Sequence, residues 1–150
     1  MKNINYRLFR LSVFWLMLLS FTIGGCSSLI AKYDKVAYQQ ATSLKVDSLA
    51  LMEKATSAYS ENENAVKDLN VKIDKAYEYA KGRPKNKIIT KQWSIMKDPE
   101  RNLLGGFLAR WKEKGILSKT FVTEAKGNVS LGFDQIIGLE SGLIKPKDSE

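Results

Sequence analysis

The carboxylates Glu124, Asp134 and Glu140 are the groups with which the last third of this chain could perform acid–base chemistry. Glycoside cleavage needs only two carboxyls, one held protonated and one charged. On a helix, however, Asp134 and Glu140 are six residues apart and do not share a face closely. Glu100 and Glu113 are similar strays, and all five read as solvated surface groups. Ser60 and Ser141 lie near acids, but there is no histidine in the chain to activate a hydroxyl. A single cysteine and no histidine remove most zinc sites, the Ser-His and Cys-His nucleophile pairs and the usual neutral-pH proton shuttle. The glycine signatures of phosphate and dinucleotide loops are absent, as are His-Glu-x-x-His and the Gly-x-Ser-x-Gly elbow. The expectation is a protein with no catalytic residue, no metal site and no enzymatic activity.

Binding chemistry is better represented. Lys81, Arg83, Lys85, Lys87 and Lys91 fall within one stretch, KGRPKNKIITK, that holds no acid. Such a cluster suits anionic lipid headgroups or glycan phosphate, and it equally suits a solvated loop in a lysine-rich protein. Trp93 and Trp111 flank this basic, glycine-containing middle. Aromatic rings beside cations can form sugar or lipid platforms, but core packing is the expected role. Gly105-Gly106 weakens a helix or lets another backbone or a ligand approach closely. Gly138-x-x-x-Gly142 has the spacing of a close-packing motif, but Glu140 between the glycines argues against a membrane helix.

The clearest signal lies at the N-terminus. Residues 1–10 carry Lys2, Arg7 and Arg10 and no acid, and residues 11–25 are uncharged and mostly large and apolar. Small residues follow and end at Ile23-Gly24-Gly25-Cys26. This is the order of an export signal: a basic start, an apolar stretch and a small-residue cleavage site. The segment resembles that of the bacterial lipoproteins, whose lipobox has an aliphatic residue, two small ones and then the cysteine. The resemblance covers residues 1–28. It implies a diacylglyceryl group on the Cys26 thiol, cleavage before Cys26 and an N-acyl chain on the new amino group. Two or more acyl chains make a stable anchor, at about 0.8 kcal/mol per buried CH₂. It further implies the outer membrane, since Ser27 replaces the aspartate that retains such proteins at the inner one; the inner membrane is the alternative. Two plainer readings remain open. The 21 uncharged residues Leu11 to Ala31 are long enough to be an uncleaved span. The segment could also be an ordinary signal cut elsewhere.

The composition fits one domain behind such a signal. Of 150 residues, 44% are apolar and 27% charged, an ordinary folded composition. The net charge is +8, and residues 26–150, with 21 basic against 16 acidic groups, keep +5. That is too mild for a nucleic-acid binder and favours loose attraction to anionic surfaces. The domains expected are a signal peptide at 1–25 and a helical periplasmic domain at 26–150.

The elements that position these residues read as helices. From about Ser28 to Tyr59 the residues Ile30, Tyr33, Ala37, Ala41, Leu44, Ser48, Leu51 and Ala55 recur at steps of three and four. A polar break at Ser60 to Asn64 precedes a second helix at about 63–81, carried by Val66, Leu69, Ile73, Ala76 and Ala80. Gly82 and Pro84 stop it, and the short break predicts an antiparallel pair. Ile88, Ile89, Trp93, Ile95 and Met96 form a short helix or a strand. Asp98 reads as an N-cap with Pro99 at the first helical position, ahead of Leu103, Leu104, Phe107, Leu108 and Trp111, and Gly115 ends that helix. Val122, Ala125, Val129, Phe133, Ile136, Leu139 and Leu143 predict a last helix, with a hairpin about Lys126-Gly127-Asn128 as the alternative. The fold expected is all-α, a small bundle of three or four helices, the alternative being α+β with that hairpin.

The function expected is a non-enzymatic binding or structural module, held at the membrane by its lipid and partnered by an envelope protein or by itself. A periplasmic lipid or small-ligand carrier is the second reading, with Gly105-Gly106 or Trp93 and Trp111 lining a pocket. A cell-wall hydrolase is the third. The major murein lipoprotein is also a short helical lipoprotein, but it ends in a lysine linked to the wall. This chain ends Lys147-Asp148-Ser149-Glu150 and has no sustained seven-residue repeat, so that link is not expected.

Overall fold

A computed structural model describes residues 32–145. Cys26, the signal segment and the tail from 146 lie outside the described residues. Within them the chain is all-α, with no strand. The helices are α1 (Lys35–Glu53), α2 (Tyr59–Gly82), α3 (Lys87–Lys97), α4 (Leu104–Lys114) and α5 (Lys119–Ser141). A 3-10 turn, Lys54–Thr56, extends α1. The bundle thus has one helix more than the three or four expected, because the apolar segment at 88–96 is an independent helix.

Helix α1 packs between α2 and α5, and α3 bridges α2 and α5, closing a four-helix ring. Helix α4 covers one end of that ring. There Leu117 N–H donates to Ala55 O and Tyr59 N–H to Gly115 O, both at 2.8 Å. Ion pairs from Lys45 to Asp134 and from Lys126 to Glu53 run along α1 and α5 in opposite order, and those helices are antiparallel. The expected α1–α2 antiparallel pair forms in the same way, with Lys72 bound to Asp47 at 2.9 Å and Tyr79 Oη donating to Asp34 Oδ2 at 2.9 Å.

The three-four pattern delivers the core. Ala37, Ala41, Leu44, Ser48, Leu51 and Ala55 are buried from the first stripe, and Val66, Leu69, Ile73, Ala76 and Ala80 from the second. Trp93 meets Phe133 edge-on at 5.9 Å, and Trp111 meets Tyr59 edge-on at 5.5 Å. Both indoles are buried, Trp111 with Nε1–H donating to Ser57 O at 3.2 Å. Apolar area of this kind contributes about 25 cal/mol per Å² removed from water.

Several boundaries differ from expectation for local reasons. Helix α1 starts at Lys35, because the Asp34 carboxylate accepts the Ala37 N–H at 3.0 Å and caps it. Tyr33, placed on the first stripe, lies outside the helix and is exposed. The break before α2 falls at Ser57-Ala58, not at Ser60 to Asn64. Asn62 folds back to donate to Ser57 Oγ and Ala58 O, both at 3.1 Å, and Glu61 falls in the first turn of α2. Asp98 does not cap a helix starting at Pro99. It accepts the Glu100 N–H at 2.9 Å in a turn, and α4 begins only at Leu104. The cause is the close return of the chain: a Cβ on Gly105 would strike the backbone of Lys97, and one on Gly106 that of Arg101. Of the two roles considered for this glycine pair, the structure shows backbone approach. The last segment is one helix through Lys126-Gly127-Asn128, capped by Ser118 and ended by Gly142 at φ 74°. The hairpin alternative does not form.

Candidate functional site

The two ends of the bundle differ. One holds the α1–α2 junction and α4. The other brings together the start of α1, the end of α2, the start of α3 and the end of α5, and the basic cluster lies there. The chain leaves α2 at Gly82, turns through Arg83, Pro84, Lys85 and Asn86 and enters α3 at Lys87. Lys85 sits in the left-handed region at φ 57°, a conformation that rarely favours a side chain bearing Cβ. The tight turn brings Lys81, Arg83, Lys85, Lys87 and Lys91 onto one groove of about 740 Å³. No carboxylate lines it. Tyr77 and Ile88 supply apolar surface, and Thr90 and Ser94 complete its wall. The five sequence-predicted cations are therefore neighbours in space.

They are not equivalent. Arg83 turns inward, and its Nη1–H donates to Glu140 Oε2 at 2.6 Å. Its Nη2–H donates to the backbone O of Lys32 at 2.8 Å, and its Nε stands 3.8 Å from Asp34 Oδ2. The Glu140 side chain is only 1% exposed, so it is not the solvated stray that sequence suggests. Its burial pushes the carboxyl above the usual range, and the Arg83 guanidinium offsets part of that rise. Asp34 moves the other way. The Ala37 N–H holds its carboxyl below the usual range, assisted by Tyr79 and Arg83. The bond to Asp34 in turn raises the Tyr79 hydroxyl. Lys81 pairs with Glu78 at 3.2 Å on the surface. Lys85, Lys87 and Lys91 make no ion pair among the described residues and are exposed.

Asn86 is buried at the head of α3, with Nδ2–H donating to Ala80 O at 2.8 Å and tying the turn to α2. Sequence reasoning missed Asp34, Tyr79 and Glu140 as partners of this corner. Only Asp34 carried a local signal, a capping residue ahead of an apolar stripe.

The other candidates separate. Asp134 binds Lys45 at 2.6 Å on the surface, and Glu124 lines a separate pocket of about 310 Å³ between α4 and α5. Ser141 Oγ donates to Gly138 O at 3.1 Å in the α5 C-terminus. No three potential metal-ligating side chains cluster among the described residues. Trp93 and Trp111 are packed in the core; Gly106 borders a pocket of about 310 Å³ and Gly105 one of about 450 Å³. No described helix is long and apolar enough to cross a membrane. Among known protein families, curated proteins and solved structures, none matches this chain.

Proposed function

We propose that the chain is a lipid-tethered, non-enzymatic module of the bacterial envelope, whose helical domain binds an envelope protein or a second copy of itself. The observation that carries this reading is the lone cysteine, Cys26, behind a basic and then apolar segment in the sequence Ile-Gly-Gly-Cys. Lipidation there confines the domain near the bilayer and raises its effective concentration for partners at that surface. Ser27 after the cysteine supports the outer membrane, with the domain on its periplasmic face. The start of the described chain is compatible with a short tether. Lys32, six residues beyond Cys26, is fastened by its carbonyl to Arg83.

Fractionation of the wild type and Cys26→Ala in a bacterial host tests this reading. The wild type sediments with outer membranes, and the variant loses the acyl anchor and its outer-membrane position. Crosslinking in intact envelopes then captures a partner or a dimer with the wild type that the variant fails to capture. Equal membrane distribution of the two proteins overturns the tether.

A further inference from the structure

Three features occupy the same end of the bundle. The first is the groove lined by Lys81, Arg83, Lys85, Lys87 and Lys91 without a carboxylate. Arg83 is spent on Glu140 and Asp34, which leaves Lys85, Lys87 and Lys91 as exposed cations without an ion pair among the described residues. The second is the entry of the chain at Lys32, bonded to Arg83. Lys32 lies six residues beyond Cys26, and six residue steps span at most about 20 Å. The third is exposed apolar surface. Tyr33, next to Lys32, is 60% exposed, and Leu143, three residues beyond Glu140, is 87% exposed.

We infer that this end of the bundle is a docking surface for anionic bilayer headgroups. Lys85, Lys87 and Lys91 contact lipid phosphates, while Tyr33 and Leu143 enter the interfacial layer. The inference deepens the tether reading and rests on it for orientation. An anchor at Cys26 delivers this end of the bundle, and not the α4 end, to the membrane. Each lysine near a phosphate-rich surface contributes about a fivefold preference for it. Lysine stems and the Tyr77 and Ile88 surfaces suit the boundary between headgroup and acyl chain. A free phosphate in water would need the cations but has no use for the exposed Tyr33 and Leu143. The bilayer accounts for both.

The test uses the full protein purified from membranes and reconstituted into nanodiscs, either wholly zwitterionic or containing anionic phospholipid. An amine-reactive reagent labels lysines, and mass spectrometry reads each site. Lys85, Lys87 and Lys91 are expected to label roughly fivefold more slowly in anionic discs. High salt should erase the difference. Lys112 and Lys119, at the α4 end, should label alike in both discs. Lys87→Glu with Lys91→Glu, both at exposed positions, should abolish the protection of Lys85, whereas Lys112→Glu with Lys119→Glu should leave it.

Equal labelling of the three lysines in both discs overturns the inference, as does equal protection at Lys112. Protection by inorganic phosphate in zwitterionic discs, matching that by anionic lipid, also overturns it in favour of a free-phosphate site. The mass of the N-terminal peptide from the same sample reports acylation separately. An unacylated protein therefore sinks the tether while the footprint still reports the surface.

Discussion

The Arg83 guanidinium lies 2.6 Å from the Glu140 carboxylate, across 57 residues of sequence. With its bonds to the Lys32 carbonyl and Asp34, Arg83 ties the start of α1, the end of α2 and the end of α5 together at one end of the bundle.

Truncating one partner strands a buried charge. Arg83→Ala is expected to cost about 3–5 kcal/mol in equilibrium urea unfolding. Replacing both partners by apolar residues, Arg83→Met with Glu140→Leu, should recover most of that loss, because the desolvation penalty disappears with the pair. A double variant no more stable than Arg83→Ala would contradict the assignment.

The two carboxyls of this network have opposite pH signatures. Glu140 is raised by burial, so its folded form holds a proton more tightly than its unfolded form. The stability it contributes is complete below the ordinary glutamate value, about pH 4.3, and is lost as pH rises through the raised folded value. Asp34 is lowered by the Ala37 N–H, and its contribution is present above the ordinary aspartate range and lost as pH falls through the lowered value. Urea midpoints measured from about pH 4 upward should therefore decline less with pH in Glu140→Gln than in the wild type. Parallel curves would remove Glu140 as the cause.

Two glycines in helices should respond oppositely to alanine. Gly127 is exposed in α5 with open space where a Cβ would stand, so Gly127→Ala should stabilise by about 1 kcal/mol through helix propensity. At Gly106 a Cβ would collide with the Arg101 backbone, and Gly106→Ala should destabilise by about 1–3 kcal/mol despite the same propensity. Thermal melts of the two variants check this. A stabilising Gly106→Ala would show that the α3–α4 return is looser than described.

Much of the fold was legible because apolar periodicity is a local signal. Ala41, Leu44 and Leu51 in α1, and Val66, Leu69 and Ile73 in α2, sit in the core where the spacing placed them. The Asp98-Pro99 start misled because its side chain can close a turn as readily as a helix, and the choice was made by contact between the Gly105-Gly106 backbone and the chain before it. The candidate site divides in the same way. The five cations were visible as a run, and a single turn after α2 gathers them. Glu140 was misread as solvated because its partner lies 57 residues away, beyond the reach of any helical spacing rule. Cys26 lies outside the described residues, and the role proposed for it rests on the sequence pattern around it.

The acyl anchor is the proposal on which tethering and the orientation of the bundle at the membrane rest. Intact and N-terminal peptide mass spectrometry of the protein extracted from host membranes tests it most directly. The account predicts a chain beginning at Cys26, with residues 1–25 removed and the mass of a diacylglyceryl group and an N-acyl chain on that residue. A protein that retains Met1, or one with an unmodified Cys26, would contradict it.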